Sequence, residues 1–196
     1  DAGGATPMDR PEWTAVNPFT RDGYVTLTNN TDRGVDPNEP VDAANPRPEN
    51  HHGQILRWRE AERHPAATTF QWELFLLAGE QPPAGESWQT DHQYGTIKGD
   101  IFASPDGLWF DPDGRLWIQT DFSDGKSVYD AMGTNQMLCA DPVTRKVRPV
   151  RLRNHRYYRD AGWHRDVDQC STPGHQLPSE RWQNPAAFYY STDHQK

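Results

Sequence analysis

Ser104 to Asp121 reads S-P-D-G-L-W-F-D-P-D-G-R-L-W-I-Q-T-D. Leu108 and Phe110, then Leu116 and Ile118 beyond an Asp113-Gly114 pair, recur at the period of two of a half-buried strand. An Asp-Gly pair between two such runs supplies the positive-φ positions of a tight hairpin turn, and Pro112 before it sits where no ladder donor is needed. The stretch is therefore predicted to be a β-hairpin.

An earlier stretch repeats the pattern. Pro11 to Pro18, P-E-W-T-A-V-N-P, leads through Arg21-Asp22-Gly23 into Y-V-T-L-T-N at Tyr24 to Asn29. Pro11 and Pro18 have the same separation as Pro105 and Pro112, so Glu12 and Asp106 stand at equivalent places ahead of the first strand of each copy. A repeated strand-turn-strand unit marks a stacked all-β array. The offset of 94 positions between copies fits two blades of a β-propeller at ~40–50 residues each, or one elaborated blade per copy with long surface loops, which we prefer.

Between the copies, 31–52 is a long polar loop without periodicity, and 53–60 and 69–78 read as the outer strands of the first blade, with Arg63-His64-Pro65 in the turn between them. A Pro/Gly loop over 79–99 leads into the central hairpin, and a polar connector follows it to Gly133. Asn135 to Ala140 and Lys146-Val147 complete the second blade. The expected fold is all-β: a partial β-propeller of about two blades of antiparallel strands over 1–147, then an irregular tail over 148–196.

Composition bounds the rest. Hydrophobic residues make up 34% of the 196 and the mean hydropathy is −0.99, which is poor for a self-sufficient core. The 17 prolines and 15 glycines suit short strands with long loops, and a first residue of Asp rather than Met reads as a chain beginning mid-protein. A net charge of −8 argues against nucleic acid or an anionic membrane surface as partner and admits cations. No apolar run approaches membrane-spanning length. Cys139 and Cys170 have no metal-ligand spacing and leave the redox compartment open.

Met8 to Trp13 packs an acid, a guanidinium and a second acid into a proline-fixed turn before a strand. One reading is a solvated loop anchored by Trp13. The other is a site at a blade entrance, with Glu12 as a hard oxygen ligand and Arg10 as a bidentate clamp on an oxyanion. His51 and His52, with no partner at ligand spacing, read as solvated loop histidines.

The runs M-D-R-P-E-W-T-A-V-N-P, Y-V-T-L-T-N-N, V-D-A-A-N-P-R, G-Q-I-L-R-W-R-E-A, S-P-D-G-L-W-F-D-P-D-G-R-L-W-I-Q-T-D and N-Q-M-L-C-A-D-P together resemble the C-terminal part of PhoX-type bacterial alkaline phosphatases, over roughly Thr6 to Lys146. The resemblance implies a propeller with calcium and iron in its central channel. It also implies hydrolysis of phosphomonoesters in the periplasm or outside the cell after twin-arginine export, by a protein monomeric at full length. It makes Glu12 a metal ligand, Arg10 a phosphate-orienting residue and Asp106 a further metal ligand. Because the family's large N-terminal part carries other ligands, this chain alone is expected to be inactive and to bind calcium weakly. The competing readings are a non-catalytic propeller binding module and a lactonase-like calcium propeller, which shares D-P-D-G-x-L-W hairpins but is not expected to carry R-P-E.

Beyond Val147 the resemblance fails and arginines crowd without strand periodicity. Back-translation one base later permits C-E-I-T-G-I-T from Leu152 to Arg159, L-I-N-V-Q-H-P-G from Val167 to His175 and R-I-P-R-P-S-T-T-V-L-I-T-K from Asn184 to Lys196. These strings resemble the family's next blade and terminal strand. The tail is therefore read as out of frame and disordered, not as a nucleic-acid arm.

Overall fold

The computed structural model describes residues 4–123 and 125–149. The tail, and with it the frame-shift reading and Cys170, lies outside the described residues. Within them the chain is built of strands: β1 Pro11–Val16, β2 Gly23–Leu27, β3 Gln54–Glu60, β4 Phe70–Leu77, β5 Lys98–Gly99, β6 Pro105–Phe110, β7 Leu116–Thr120, β8 Met137–Ala140 and β9 Lys146–Pro149. They form a four-stranded antiparallel meander β1-β2-β3-β4 and a second sheet in the order β5-β9-β8-β7-β6. Each copy of the repeat opens one sheet, giving an all-β, propeller-like fragment.

The Ser104–Asp121 hairpin forms, with Leu108 facing Ile118 and Phe110 facing Leu116. Its turn is longer than a two-residue one. Asp111 N–H donates to the Arg115 carbonyl and only Gly114, at φ 82°, is left-handed, so Pro112, Asp113 and Gly114 make a three-residue connection. The Asp111 carboxylate closes it by accepting the Asp113 and Arg115 amides at 3.0 and 2.9 Å. Asn17 does the same one repeat earlier, accepting the amides of Phe19 and Thr20 at 2.9 and 3.0 Å. There the left-handed residue is Arg21, not Gly23. Gly23 is required for space, because a Cβ at that position would stand 2.2 Å from the Trp58 ring.

One core joins the sheets. Tyr24 and Phe75 from the first pack with Phe110, Leu116, Ile118 and Leu138 from the second. Tyr24 lies edge-on to Phe75 at 5.1 Å and to Phe110 at 5.0 Å. Arg145 crosses between the sheets, donating to the Glu73 carboxylate and the Phe75 carbonyl at 2.8 and 3.2 Å.

Three departures from the sequence reading have physical causes. The connector after Asp121 contains a 3₁₀ helix, Ser127–Met132, because Tyr129 and Met132 bury themselves against Ala103 and Phe122. β5 pairs in parallel with β9, a contact carried by two residues too short to show periodicity. His52 is buried instead of solvated. Its Nε2–H donates to the Val128 carbonyl at 3.2 Å, and its ring meets that of Tyr129 edge-on.

Desolvation, aided by the charge of Arg47, lowers the His52 pKa to about 4. The unfolded chain then binds a proton between the ordinary value near 6.5 and about 4 that the folded chain refuses, so stability falls as pH drops through that window. Denaturant midpoints measured from pH 7 to pH 4 are expected to fall steadily. A His52→Gln variant, less stable at pH 7, is expected to show a flatter profile.

Candidate functional site

The first strands of the two copies, β1 and β6, lie against each other, and threonine hydroxyls from β2 and just past its end fix their alignment. Thr26 Oγ1 donates to the Asp106 carbonyl at 2.7 Å while accepting the Trp13 amide at 3.0 Å, and Thr28 Oγ1 donates to the Pro105 carbonyl at 2.9 Å. Both threonines are buried. These bonds bring the Pro11-Glu12 and Pro105-Asp106 pairs to the same place.

The entry to each strand is built the same way. Arg10 and Ser104, each preceding a proline, are left-handed at φ 48° and 49°, a conformation costly for residues other than glycine. The register then slips between Pro11 and Thr14 and between Pro105 and Leu108, as a β-bulge does when it re-aims a side chain. The Thr28 amide anchors the Arg10 carbonyl at 3.1 Å, and the Asp121 amide anchors that of Ser104 at 2.9 Å.

The result is a cluster of three carboxylates and one guanidinium. Arg10 Nε donates to Glu12 at 3.0 Å and an Arg10 terminal nitrogen reaches Asp121 at 3.5 Å. Both pairs are solvent-exposed, worth at most ~1 kcal/mol each, so the guanidinium is held lightly enough to turn toward an anion. Asp106 is half-buried. Desolvation raises its pKa, the charges of Glu12 and Asp121 raise it further, and Arg10 offsets part of the rise. A cleft of about 220 Å³ opens here, lined by Trp13, Asp106, Gly107, Gln119, Thr120 and Asp121.

The structure thus brings together Arg10, Glu12 and Asp106, the residues singled out in the sequence, and adds Asp121. That acid closes the quoted hairpin stretch, and its signal was an aspartate at a strand end on the cleft side. The donors at the cleft are hard oxygens, which suit calcium-like cations. Among the described residues no group of three or more His, Cys, Asp or Glu is spaced to hold a metal, so a cation here needs oxygens from elsewhere. His51 and His52 border a different cleft, beside Asp91 and His92. No helix among the described residues is long and apolar enough to cross a membrane.

The family described as alkaline phosphatase PhoX matches residues 1–159. Pseudomonas fluorescens PhoX, solved in complex with vanadate, a transition-state analogue, is 47% identical with a TM-score of 0.65. The match covers 74% of this chain and 25% of that one, so the chain spans about a quarter of that relative's length. No curated protein matches.

Replacing Thr26 by Val keeps the strand shape but leaves the Asp106 carbonyl and the Trp13 amide unpartnered. A loss of about 1–3 kcal/mol in denaturant unfolding is expected. Docking of β1 on β6 should loosen with it, read as faster amide exchange at Trp13.

Proposed function

Because the chain belongs to the PhoX alkaline phosphatase family, we propose that its cleft is one wall of a metal-dependent site that hydrolyses phosphomonoesters. The observation that carries this reading is that Arg10, Glu12 and Asp106, from two copies of the repeat, come within reach of one another's charge beside a cleft that Asp106 lines. Glu12 and Asp106 would hold a cation, calcium by the chemistry of their oxygens and iron by the family resemblance. A bound cation would neutralise charge developing on a transferring phosphoryl group.

Arg10 supplies the complementary element. Its planar fork, held lightly by Glu12 and Asp121, can exchange those carboxylates for two oxygens of a phosphoryl group and set its orientation. Trp13, more than half exposed at the cleft, shields one side of that exchange from water. The relative's binding of a vanadate transition-state analogue supports a phosphoryl ligand for this cleft. With a quarter of the relative's length, this chain is proposed to contribute to activity and to show none alone. Function in the periplasm or outside the cell, after twin-arginine export and as a full-length monomer, belongs to the same proposal.

A chimera tests it. With residues 4–149 replacing the matching quarter of Pseudomonas fluorescens PhoX, hydrolysis of p-nitrophenyl phosphate is expected to persist, and Arg10→Ala to lower it by about 100-fold. A chimera that folds, binds calcium and hydrolyses nothing would favour the non-catalytic binding module.

Calcium binding to the chain alone is expected to be weak by calorimetry and to weaken further as pH falls through the raised pKa of Asp106, since the protonated acid is a poor ligand. Asp106→Asn is expected to remove that pH dependence.

A further inference from the structure

The loop over residues 31–52 has no periodicity, yet it contains some of the most buried polar side chains of the protein. Arg33 is 1% exposed and Asp9 is fully buried, and they pair at 2.7 Å. The other Arg33 nitrogens donate to the Pro40 and Pro7 carbonyls at 2.9 and 3.0 Å. The second Asp9 oxygen accepts from Asn50 at 2.9 Å, and the Asp9 amide donates to Asn45 Oδ1 at 3.0 Å. Asn45 Nδ2 adds a bond to the Pro7 carbonyl at 3.1 Å.

Except for the bond to Pro40, all of these end on Pro7 or Asp9, just before left-handed Arg10. A buried ion pair is a poor source of net stability, because desolvating both charges cancels most of their attraction, and its best-attested use is to fix one arrangement among several. We propose that the Asp9–Arg33 pair, with Asn45 and Asn50, is the positioning element of the Arg10–Glu12 site. It holds the chain on the N-terminal side of Arg10 while Pro11 and the Thr28 amide hold it beyond, and between them Arg10 has no relaxed alternative. This inference rests on the roles proposed for Arg10 and Glu12.

Arg47, in the same loop and equally buried, provides the contrast. It feels the charge of Asp9, but its hydrogen bonds go to the carbonyls of Ala78 at 2.6 Å, of Tyr94 and of Gly53, so they tie sheet ends and none reaches Pro7, Asp9 or Arg10. Arg33→Lys and Arg47→Lys are therefore matched variants, since in each an ammonium replaces a fork that spans several carbonyls.

Both are made in the full chain and studied at a temperature where circular dichroism shows them folded. One readout is amide exchange at Arg10, whose N–H donates to Met8, and at Thr28, whose N–H donates to Arg10. The other is affinity for terbium(III), followed by luminescence sensitised through Trp13. Arg33→Lys is expected to speed exchange at both amides and weaken terbium about tenfold or more. Arg47→Lys is expected to lower the unfolding midpoint and leave both readouts unchanged.

Unchanged exchange at Arg10 and Thr28 in Arg33→Lys, or an equal increase in Arg47→Lys, overturns the proposal. If Arg33→Lys does not fold, Asn45→Ala, which keeps the ion pair and removes the acceptor of the Asp9 amide, is read at the same two amides. If the unaltered chain binds no terbium, the roles given to Glu12 and Asp106 fail, and amide exchange alone decides the positioning role.

Discussion

Two threonine hydroxyls bonded across the blade boundary are the contacts on which the site depends. Thr26 and Thr28 reach the carbonyls of Asp106 and Pro105 at 2.7 and 2.9 Å. Apolar packing between sheets tolerates sliding, since burial is proportional to area and indifferent to register. A hydroxyl-to-carbonyl bond has a distance and a direction, and two in succession permit one alignment of β6 on β2. The aromatic contact of Tyr24 with Phe110 holds the sheets together, and the threonines decide where each acid ends up relative to the other.

A chain with 34% hydrophobic residues builds this arrangement by burying arginines as well as aliphatics. Arg33 and Arg47 are among its largest fully buried side chains, and each satisfies backbone carbonyls of loops that sheet pairing leaves unused. Burial lowers the Arg47 pKa to about 10 against the opposing charge of Asp9, so it remains charged at neutral pH and in turn disfavours a proton on His52. The long loop is ordered by these guanidinium networks, which have no periodic trace in sequence.

What was legible follows from that distinction. The hairpins, the repeat and the equivalence of Glu12 with Asp106 could be read because alternation, Asp-Gly and Pro spacing are local signals. The inner place of Leu108, Phe110, Leu116 and Ile118 followed from the same alternation. The Asp9–Arg33 pair could not be read, since its partners are far apart in sequence and both are residues usually found at the surface. His52 looked solvated because nothing near it in sequence announces Val128 and Tyr129. Asp121 reads in sequence as the end of the hairpin and nothing more, because its nearness to Arg10 arises only when β6 and β7 are laid beside β1.

The strained backbone and the crowded charge occur together, and this argues that the place is selected for something other than stability. Two left-handed residues before prolines each store strain. Three carboxylates against one guanidinium leave two uncompensated negative charges when all are ionised, and Asp106 already resists ionisation. Glycine at position 10 or 104 would relieve the first cost, and an amide at position 106 or 121 the second. Neither position 10 nor its equivalent 104 carries glycine, and neither 106 nor 121 carries an amide. The left-handed entries and the register slips that follow them stand where the two copies bring Arg10, Glu12 and Asp106 together.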